Sequence, residues 1–408
     1  MNKKWPNVIL LSFSCLMAMS LWFSATAIAP IVVDEWHLTD GEAAWLTMSV
    51  QIGFAVGALL IALFNLADLI KPRVIYGIGC LFGALVNWLV TVTGDYFAIV
   101  IALRFLTGAA LAAVYPVAMK ILTTWMKSDR GLGLGILVGC LAIGSASPHF
   151  IRTVFQLSEW KPVLILSSLS TVLAAGLVLK FTQLGPYAEP VPPFRWRYIL
   201  DIFKDRSIMQ ANMGYFGHMW ELYAMWTWIA FFLLESFRLA PSASWIGFLG
   251  VEKSATMAAF ATIAVGGLGS FAAGYLADRW GRSRTTILSM IISGLCAGTI
   301  GFFFGGNPTI VILIALIWGF AIVADSAQFS GAVSELCDKK FIGTALTLQT
   351  SIGFMLTIVS IRLIPVVVDK IGWNWAFTIL VIGPIIGSYA MWKLKNSPAA
   401  IKLAGGRG

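Results

Sequence analysis

The chain has 408 residues, of which 59% are hydrophobic and 12% are charged, and its formal net charge is +9. Its mean hydropathy is +0.85. A typical soluble domain has about 25% charged and about 45–50% apolar residues. The composition therefore excludes a soluble globular fold and indicates that lipid is the solvent for much of the surface.

The apolar residues form twelve long runs separated by short polar connections. A helix of about 20 residues crosses the hydrocarbon core of a bilayer, and the runs lack the apolar–polar alternation of membrane β-barrel strands. We therefore predict an all-α integral membrane protein with twelve transmembrane helices, near residues 7–30, 43–66, 72–93, 96–122, 131–155, 161–182, 209–234, 254–276, 284–304, 308–334, 342–367 and 373–393.

The first run follows Lys3 and Lys4 and contains Ala25-Thr26-Ala27, so it has some features of a secretory signal peptide. The apolar part of a signal peptide is about 7–15 residues long, and this run is longer. We expect it to be retained as the first transmembrane helix.

The five cysteines stand singly, at Cys15, Cys80, Cys140, Cys296 and Cys337. No two of them have the spacing of a CxxC pair. We therefore expect neither a disulfide framework nor a metal site, and no cofactor.

The charges divide between the two sets of connections. Cations such as Lys71, Arg206 and Arg284 lie on the side of both termini, whereas acids such as Asp34 and Asp369 lie on the other. By the positive-inside rule, both termini are expected in the cytoplasm, in a multi-pass protein of the cell (inner) membrane. Attraction to anionic membrane lipids accounts for the net positive charge, and we expect no nucleic-acid partner.

Residues 183–206 interrupt the helical pattern with four prolines, followed by a basic and aromatic stretch at 195–198. Prolines prevent a continuous helix, and the basic stretch is typical of a helix in the cytoplasmic interface. We predict a linker at 183–206 between an N-terminal six-helix bundle, 1–182, and a C-terminal one, 207–408. Short motifs at 66–68 and 129–130 recur at 276–278 and 338–339, offset by about 210 residues, which indicates duplication.

Residues 274–282 read GYLADRWGR, and residues 104–108 read RFLTG. The first motif resembles the G-x-L-A-D-R-x-G-R loop of the major facilitator superfamily, and the second resembles the helix 4 motif of that superfamily. The resemblance implies two pseudo-repeated six-helix bundles, alternating access, and a cavity lined by helices 1, 4, 7 and 10. The N-terminal copy of the loop, 68–73, lacks the glycine before its final cation. No sub-family signature assigns the substrate.

The loop motif places an Asp at a helix end and Arg residues across a tight glycine turn, where they can pair with neighbouring helix ends. Such pairs can hold one side of a carrier shut in one state and break in the other. The candidate gating residues are Asp68, Asp278, Arg279, Gly281 and Arg282. The alternative is that these arginines only anchor the topology.

Ionisable residues at membrane depth are costly and usually functional. Glu221 shares one face of helix 7 with His218 and Trp228, and Asp325 shares a face of helix 10 with Gln328. We expect proton coupling through Glu221, His218, Asp325 and Arg104, and a substrate site formed by Trp22, Arg104, Tyr115, Glu221, Trp228 and Gln328.

Alternatives remain for several of these residues. Arg104 can be a structural clamp on helix ends, Glu221 with His218 a static buried pair, and Asp325 a solvated group near the cytoplasmic side. Arg362 is either a substrate ligand or an interfacial anchor.

The chain is therefore expected to be a monomeric, proton-coupled secondary transporter of a small molecule, and not an enzyme. It has no G-x-x-x-x-G-K-[ST] loop for ATP and no H-E-x-x-H or G-x-S-x-G motif. The rival functions are a non-transporting membrane sensor and an integral-membrane enzyme.

Overall fold

The computed structural model describes residues 4–64, 66–93, 96–126, 130–155, 159–188, 198–240, 244–338 and 342–408. Within these ranges the secondary structure is helical, and no strand is present. The predicted interfacial stretch at 195–198 lies mostly outside the described residues, and a short helix follows it at Ile199–Lys204.

Twelve long helices follow one another along the chain. They are α1 Lys4–Glu35, α2 Asp40–Leu63, α3 Pro72–Thr93, α4 Phe97–Thr123, α5 Arg130–Val154, α6 Lys161–Phe181, α7 Arg206–Leu239, α8 Val251–Trp280, α9 Arg282–Phe303, α10 Pro308–Leu336, α11 Ile342–Ile371 and α12 Trp373–Lys395. The prediction of an all-helical, twelve-helix membrane fold is confirmed, with several helix ends a few residues beyond the predicted ones.

Eleven of these helices are long and apolar enough to cross a membrane by length and composition. The twelfth is α7, which has 34 residues and therefore a length of about 50 Å. It carries His218 and Glu221 among its buried residues. Polar residues in the middle of a long membrane helix indicate function, because burying them in lipid is unfavourable.

Four of the helices are interrupted near their middles. Breaks occur in α1 between Met19 and Ser24, in α4 before Tyr115, in α8 at Val265 and in α10 at Asp325. Tyr115 and Asp325 are 210 residues apart, which is the offset of the sequence repeat. Because carbonyl groups next to a break lack their helical partners, such positions can bind other groups.

Helices α2 and α11 pack against each other, and so do α5 and α8, so that the first six helices meet the last six along two seams. The α5–α8 seam is built from glycines. A Cβ atom added to Gly139 would lie 2.8 Å from the Gly267 oxygen, and one added to Gly135 would lie 2.9 Å from the Ser270 oxygen. Only residues without side chains allow the two backbones to approach so closely.

We call the face at which α1 begins and α12 ends the terminal face, and the other the opposite face. We call the contact between α5 and α8 the glycine seam. It lies towards the terminal face, because α5 begins at that face with Arg130 and α8 ends there with Trp280.

Candidate functional site

A buried carboxylate lies at mid-depth in the C-terminal half. Glu221 on α7 is 1% exposed. Its Oε1 accepts a hydrogen bond of 2.6 Å from the Trp318 indole on α10, and its Oε2 accepts one of 2.9 Å from the Ser293 hydroxyl on α9. Two donors therefore satisfy the carboxyl group, and no cation is among its described hydrogen-bond partners.

A second acidic group, on α10, contacts α7 one turn before Glu221. Asp325 occupies the break in α10, and its Oδ1 lies 2.8 Å from Nδ1 of His218 on α7. The other ring nitrogen of His218, Nε2, lies 2.8 Å from the Ser326 hydroxyl. His218 and Glu221 are three residues apart on α7 and face the same side. We call His218, Glu221 and Asp325 the carboxylate cluster.

The carboxylate cluster lies where an uncompensated charge is costly. Each of its side chains therefore needs a partner among its neighbours. Glu221 has two hydrogen-bond donors, and Asp325 has His218.

Arg104 lies in the N-terminal half, apart from the carboxylate cluster. It is 0% exposed. Its Nη2 donates to the Trp22 carbonyl at 2.7 Å, and its Nη1 donates to the Leu21 carbonyl at 3.1 Å, both at the break in α1. The same guanidinium donates to Ser24 Oγ at 3.2 Å and Asn87 Oδ1 at 3.0 Å. Every described partner of Arg104 lies in the first six helices.

The remaining predicted substrate residues lie in different surroundings. Trp228 donates its indole N–H to the Ile361 carbonyl at 3.0 Å and so joins α7 to α11. Gln328 accepts a hydrogen bond of 2.7 Å from Arg282, towards the terminal face. Tyr115 is half-buried at the break in α4. The structure therefore does not bring these three side chains together with Glu221.

Trp22 belongs to an aromatic layer at the middle of the molecule. Its ring centroid lies 4.8 Å from that of Phe54 on α2, 5.6 Å from that of Tyr223 on α7 and 5.5 Å from that of Phe354 on α11. Phe54 and Phe354 are also in contact, at 4.6 Å. We call Trp22, Phe54, Tyr223 and Phe354 the aromatic layer. It joins the two halves at mid-depth.

At the opposite face, a cavity of about 480 Å³ lies between α1, α5, α7 and α8. Its wall includes charged and titratable side chains of both halves, namely Asp34, Glu35, His149, Arg152, Arg238 and Glu252. Arg152 donates to the Ala27 carbonyl at 3.2 Å. On the same side, the Arg362 guanidinium lies against Gly41 in the first turn of α2. A Cβ atom added to Gly41 would lie 2.9 Å from Cζ of Arg362.

At the terminal face, the loop motif between α8 and α9 makes two sets of contacts. The Asp278 carboxylate lies against Gly131 in the first turn of α5. A Cβ atom added to Gly131 would lie 2.5 Å from Oδ1 of Asp278. A carboxylate beside a helix N-terminus is stabilised by the helix dipole. Asp278 therefore connects the C-terminal half to the N-terminal half.

Arg282 makes the second set of contacts, within the C-terminal half. It binds Glu335 on α10 through two hydrogen bonds, of 2.8 Å from Nε and 2.6 Å from Nη2. Gly281, between α8 and α9, has φ +97°, a conformation that favours glycine. Arg279 lies 4.0 Å from the ring centroid of Tyr275. Asp68, the N-terminal counterpart of Asp278, has a side chain outside the described part of the chain.

Several residues of these sites were not predicted from the sequence. Ser293 and Glu335 are partners of predicted residues on neighbouring helices, and Phe54, Tyr223 and Phe354 complete the aromatic layer around Trp22. Their sequence signal is weak, because aromatic and hydroxyl residues are frequent in every helix of this chain. For Glu335 the sequence offered one signal. It is an acidic residue at the end of α10 on the terminal face, where the arginines of the loop motif also lie.

The chain resembles known transporters in sequence and in fold. The family model of the Major Facilitator Superfamily matches residues 10–267 and 247–408. The niacin transporter NiaP of Acinetobacter baylyi is 22% identical over 71% of this chain and 69% of its own length. The proline/betaine transporter of Salmonella typhimurium is 31% identical over 37% of this chain and 34% of its own length.

A crystal structure of the nucleoside transporter NupG superposes with a TM-score of 0.70 at 15% identity, over 95% of this chain and 99% of that one. At this identity the superposition concerns the fold. Together with the match of the family model over most of the sequence, it leads to one conclusion: the chain belongs to the major facilitator superfamily.

Proposed function

We propose that this protein is a secondary active transporter that moves a small solute across the membrane by alternating access, coupled to protons. Membership of the superfamily supports transport, as do the relatives named as niacin, proline/betaine and gallate transporters. The carboxylate cluster is the observation that carries the proton coupling.

Proton coupling requires a group that can be charged in one state and neutral in another, at a depth which both sides reach in turn. Glu221 and Asp325 are both almost fully buried, and both contact residues of other helices of the C-terminal half. Because Asp325 lies at a helix break, a small movement of either part of α10 alters its distance from His218. Protonation and helix movement are therefore coupled in this proposal.

Alternating access is supported by the difference between the two faces. The glycine seam and Asp278 hold the halves together towards the terminal face, whereas a cavity between them lies at the opposite face. We propose that the helices of residues 1–182 and 207–408 move as two bodies around the aromatic layer, with 183–206 as their connection, and that each monomer is a complete transporter.

The charge distribution supports an inner-membrane orientation with cytoplasmic termini. A cysteine at exposed His37 is then expected to react with an impermeant thiol reagent from outside the cell, and one at exposed Arg284 only after permeabilisation. The described native cysteines are buried or half-buried, so their background reaction is expected to be low. The reverse labelling pattern would refute this orientation.

Asp278→Asn is expected to open the terminal face in a larger fraction of molecules, because the amide loses the charge that the N-terminus of α5 stabilises. A charge at a helix N-terminus contributes about 0.3–2 kcal/mol, so the open fraction is expected to rise about twofold to thirtyfold. The measurement is the distance distribution between spin labels at Lys71 and Arg284, which are both exposed and lie in different halves.

Asp201→Asn is the matched control for this gate, since Asp201 is an exposed carboxylate outside the twelve long helices, in the short helix Ile199–Lys204. It is expected to leave the distance distribution unchanged. Unchanged distances in Asp278→Asn, together with normal transport, would remove Asp278 from the gate.

The test of the function uses purified protein reconstituted in vesicles. A thermal-shift screen first identifies a solute that raises the melting temperature. A transporter of the proposed kind then accumulates this solute against its gradient when a pH gradient is imposed, and accumulation stops when the gradient is collapsed. Binding without any flux would instead identify a sensor, and chemical conversion of the solute would identify an enzyme.

A further inference from the structure

The aromatic layer joins the two halves through the faces of its rings. Trp22 and Tyr223, from different halves, have rings inclined by 24° with centroids 5.6 Å apart, and Phe23 and Tyr223 are inclined by 7° at 6.3 Å. Phe54 and Phe354 join α2 to α11 beside them. The faces of large rings on one half therefore lie opposite the faces of rings on the other half.

These ring contacts cross the boundary between the two bodies of the proposed transporter. When the halves separate, the paired ring faces lose their contact with each other. Water or a solute must then cover these faces. Aromatic faces prefer offset-stacked or edge-to-face aromatic partners over other contacts of equal area. A flat ring that enters between them restores contact with both faces at once.

Buried polar atoms without partners lie next to the layer, among the described residues. Gln51 lies one turn before Phe54 on α2 and is 0% exposed, and both atoms of its side-chain amide lack a hydrogen-bond partner among the described residues. The indole nitrogens of Trp22 and Trp226 are also buried and without a partner in the described part of the chain. Trp226 contacts Phe23 at 5.6 Å and Tyr223 at 5.6 Å.

Buried polar groups in native proteins nearly always have partners, and an exception calls for an explanation. The unpaired amide of Gln51 and the unpaired indole of Trp226 are explained if a solute that stacks on Trp22 supplies the missing partners. They offer an amide N–H₂ group, one indole N–H group and one amide oxygen. A site with more donors than acceptors suits a solute that carries acceptor groups.

From these two observations we propose that the aromatic layer is the substrate site, and that its substrate is a planar aromatic solute with acceptor groups on its edge, such as an aromatic carboxylate. When the halves separate, the ring of the solute enters between Trp22 and Tyr223, and its edge binds Gln51 and the indole of Trp226. This inference rests on the proposed transport function and specifies its substrate class.

The experiment compares solutes that differ in flatness and not in charge. Benzoate is paired with cyclohexanecarboxylate, and 4-hydroxybenzoate with 4-hydroxycyclohexanecarboxylate, in calorimetric titrations of the purified protein. The aromatic member of each pair is expected to bind about tenfold more tightly, because stacking on two ring faces adds to the area that both members bury. Equal or tighter binding of the saturated member would overturn the proposal, and so would the absence of binding by both aromatic members at millimolar concentration.

Variants test whether the binding occurs at the layer. Tyr223→Leu is expected to remove the preference for the aromatic member, whereas Phe231→Leu, a half-buried ring on the same helix that contacts Trp228, is expected to retain it. An aromatic preference that persists in Tyr223→Leu would place the site elsewhere and refute the proposal.

Gln51→Leu distinguishes an effect on solute binding from an effect on the stability of the fold. Replacing an unpaired buried amide by an apolar side chain of similar size is expected to raise the melting temperature of the free protein and to weaken binding of the aromatic member. A lower melting temperature with unchanged binding would show that Gln51 has a structural partner and no contact with the solute.

The outcome for substrate class is distinct from the outcome for transport. Uphill accumulation of a saturated solute in the vesicles would retain the proposed function and reject the aromatic class. Tight binding of benzoate without flux would retain the site and reject transport.

Discussion

Glu221→Gln is expected to abolish uphill, pH-driven uptake while retaining exchange of solute across the membrane. Glutamine has the shape of a protonated glutamate and cannot release a proton. A carrier whose coupling group is permanently neutral can still bind solute and alternate, but it cannot extract energy from a proton gradient. The expected result is therefore the loss of accumulation with counterflow preserved.

The hydrogen bonds of Glu221 explain why this variant is expected to fold. The amide oxygen of glutamine can accept from the Trp318 indole, which lies 2.6 Å from Oε1 in the native chain. The amide N–H₂ can donate to the Ser293 hydroxyl, because a hydroxyl group accepts as well as donates. Glu221→Ala is expected to lose stability in addition, since the Trp318 indole N–H would remain buried and unpaired, whereas Ser293 keeps its hydrogen bond to the Met290 carbonyl.

Counterflow and pH-driven uptake are measured in the same vesicles, so that the amount of active protein cancels. The matched control is Glu235→Gln on the same helix, where the carboxylate is exposed and pairs with Arg238 in the adjacent turn. This control is expected to retain both activities. Loss of both activities in Glu221→Gln would make Glu221 a substrate ligand or a structural residue. Retention of both would transfer the coupling role to Asp325.

The helices were predictable because lipid is their solvent. A chain in hydrocarbon must satisfy the hydrogen bonds of its backbone groups internally. Long apolar runs without apolar–polar alternation can therefore form only helices. The breaks within the helices were less predictable. The break in α1 at residues 20–23 contains neither proline nor glycine, and its free carbonyls are instead bound by Arg104 from another helix.

The spacing of His218 and Glu221 predicted a shared face, because residues three apart on a helix lie on the same side. Distance along a helix gives the depth of a residue and not its direction across the bundle. Arg104 and Glu221 are at similar depth by sequence, yet Arg104 has its described partners in the other half. Gln328 was placed with Asp325 by the same spacing, and it does lie one turn beyond Asp325, but its side chain contacts Arg282. Their functional roles stay predictions.

Arg104→Lys is expected to destabilise the protein strongly and to reduce exchange and pH-driven uptake together. The guanidinium donates to two carbonyls at the α1 break, to a third at Leu46 and to the side chains of Ser24 and Asn87. A lysine has three donors on one nitrogen and cannot reproduce this planar fork. Hydrogen bonds to charged groups contribute about 1.5–3 kcal/mol each, so the loss of two would cost about 3 kcal/mol or more.

This substitution separates the two roles that the sequence left open for Arg104. If the residue acts through its positive charge, as a coupling partner would, lysine retains that charge and both transport activities survive at normal stability. If it clamps the broken helix, the geometry of the fork is essential, and lysine fails although the charge is unchanged. The five described contacts, all within the first six helices, favour the clamp.

The measurements are the melting temperature in detergent and both transport assays in vesicles. The control is Arg206→Lys, an exposed arginine in the first turn of α7, which is expected to change the stability by less than about 0.5 kcal/mol. Normal stability and normal transport in Arg104→Lys would refute the clamp.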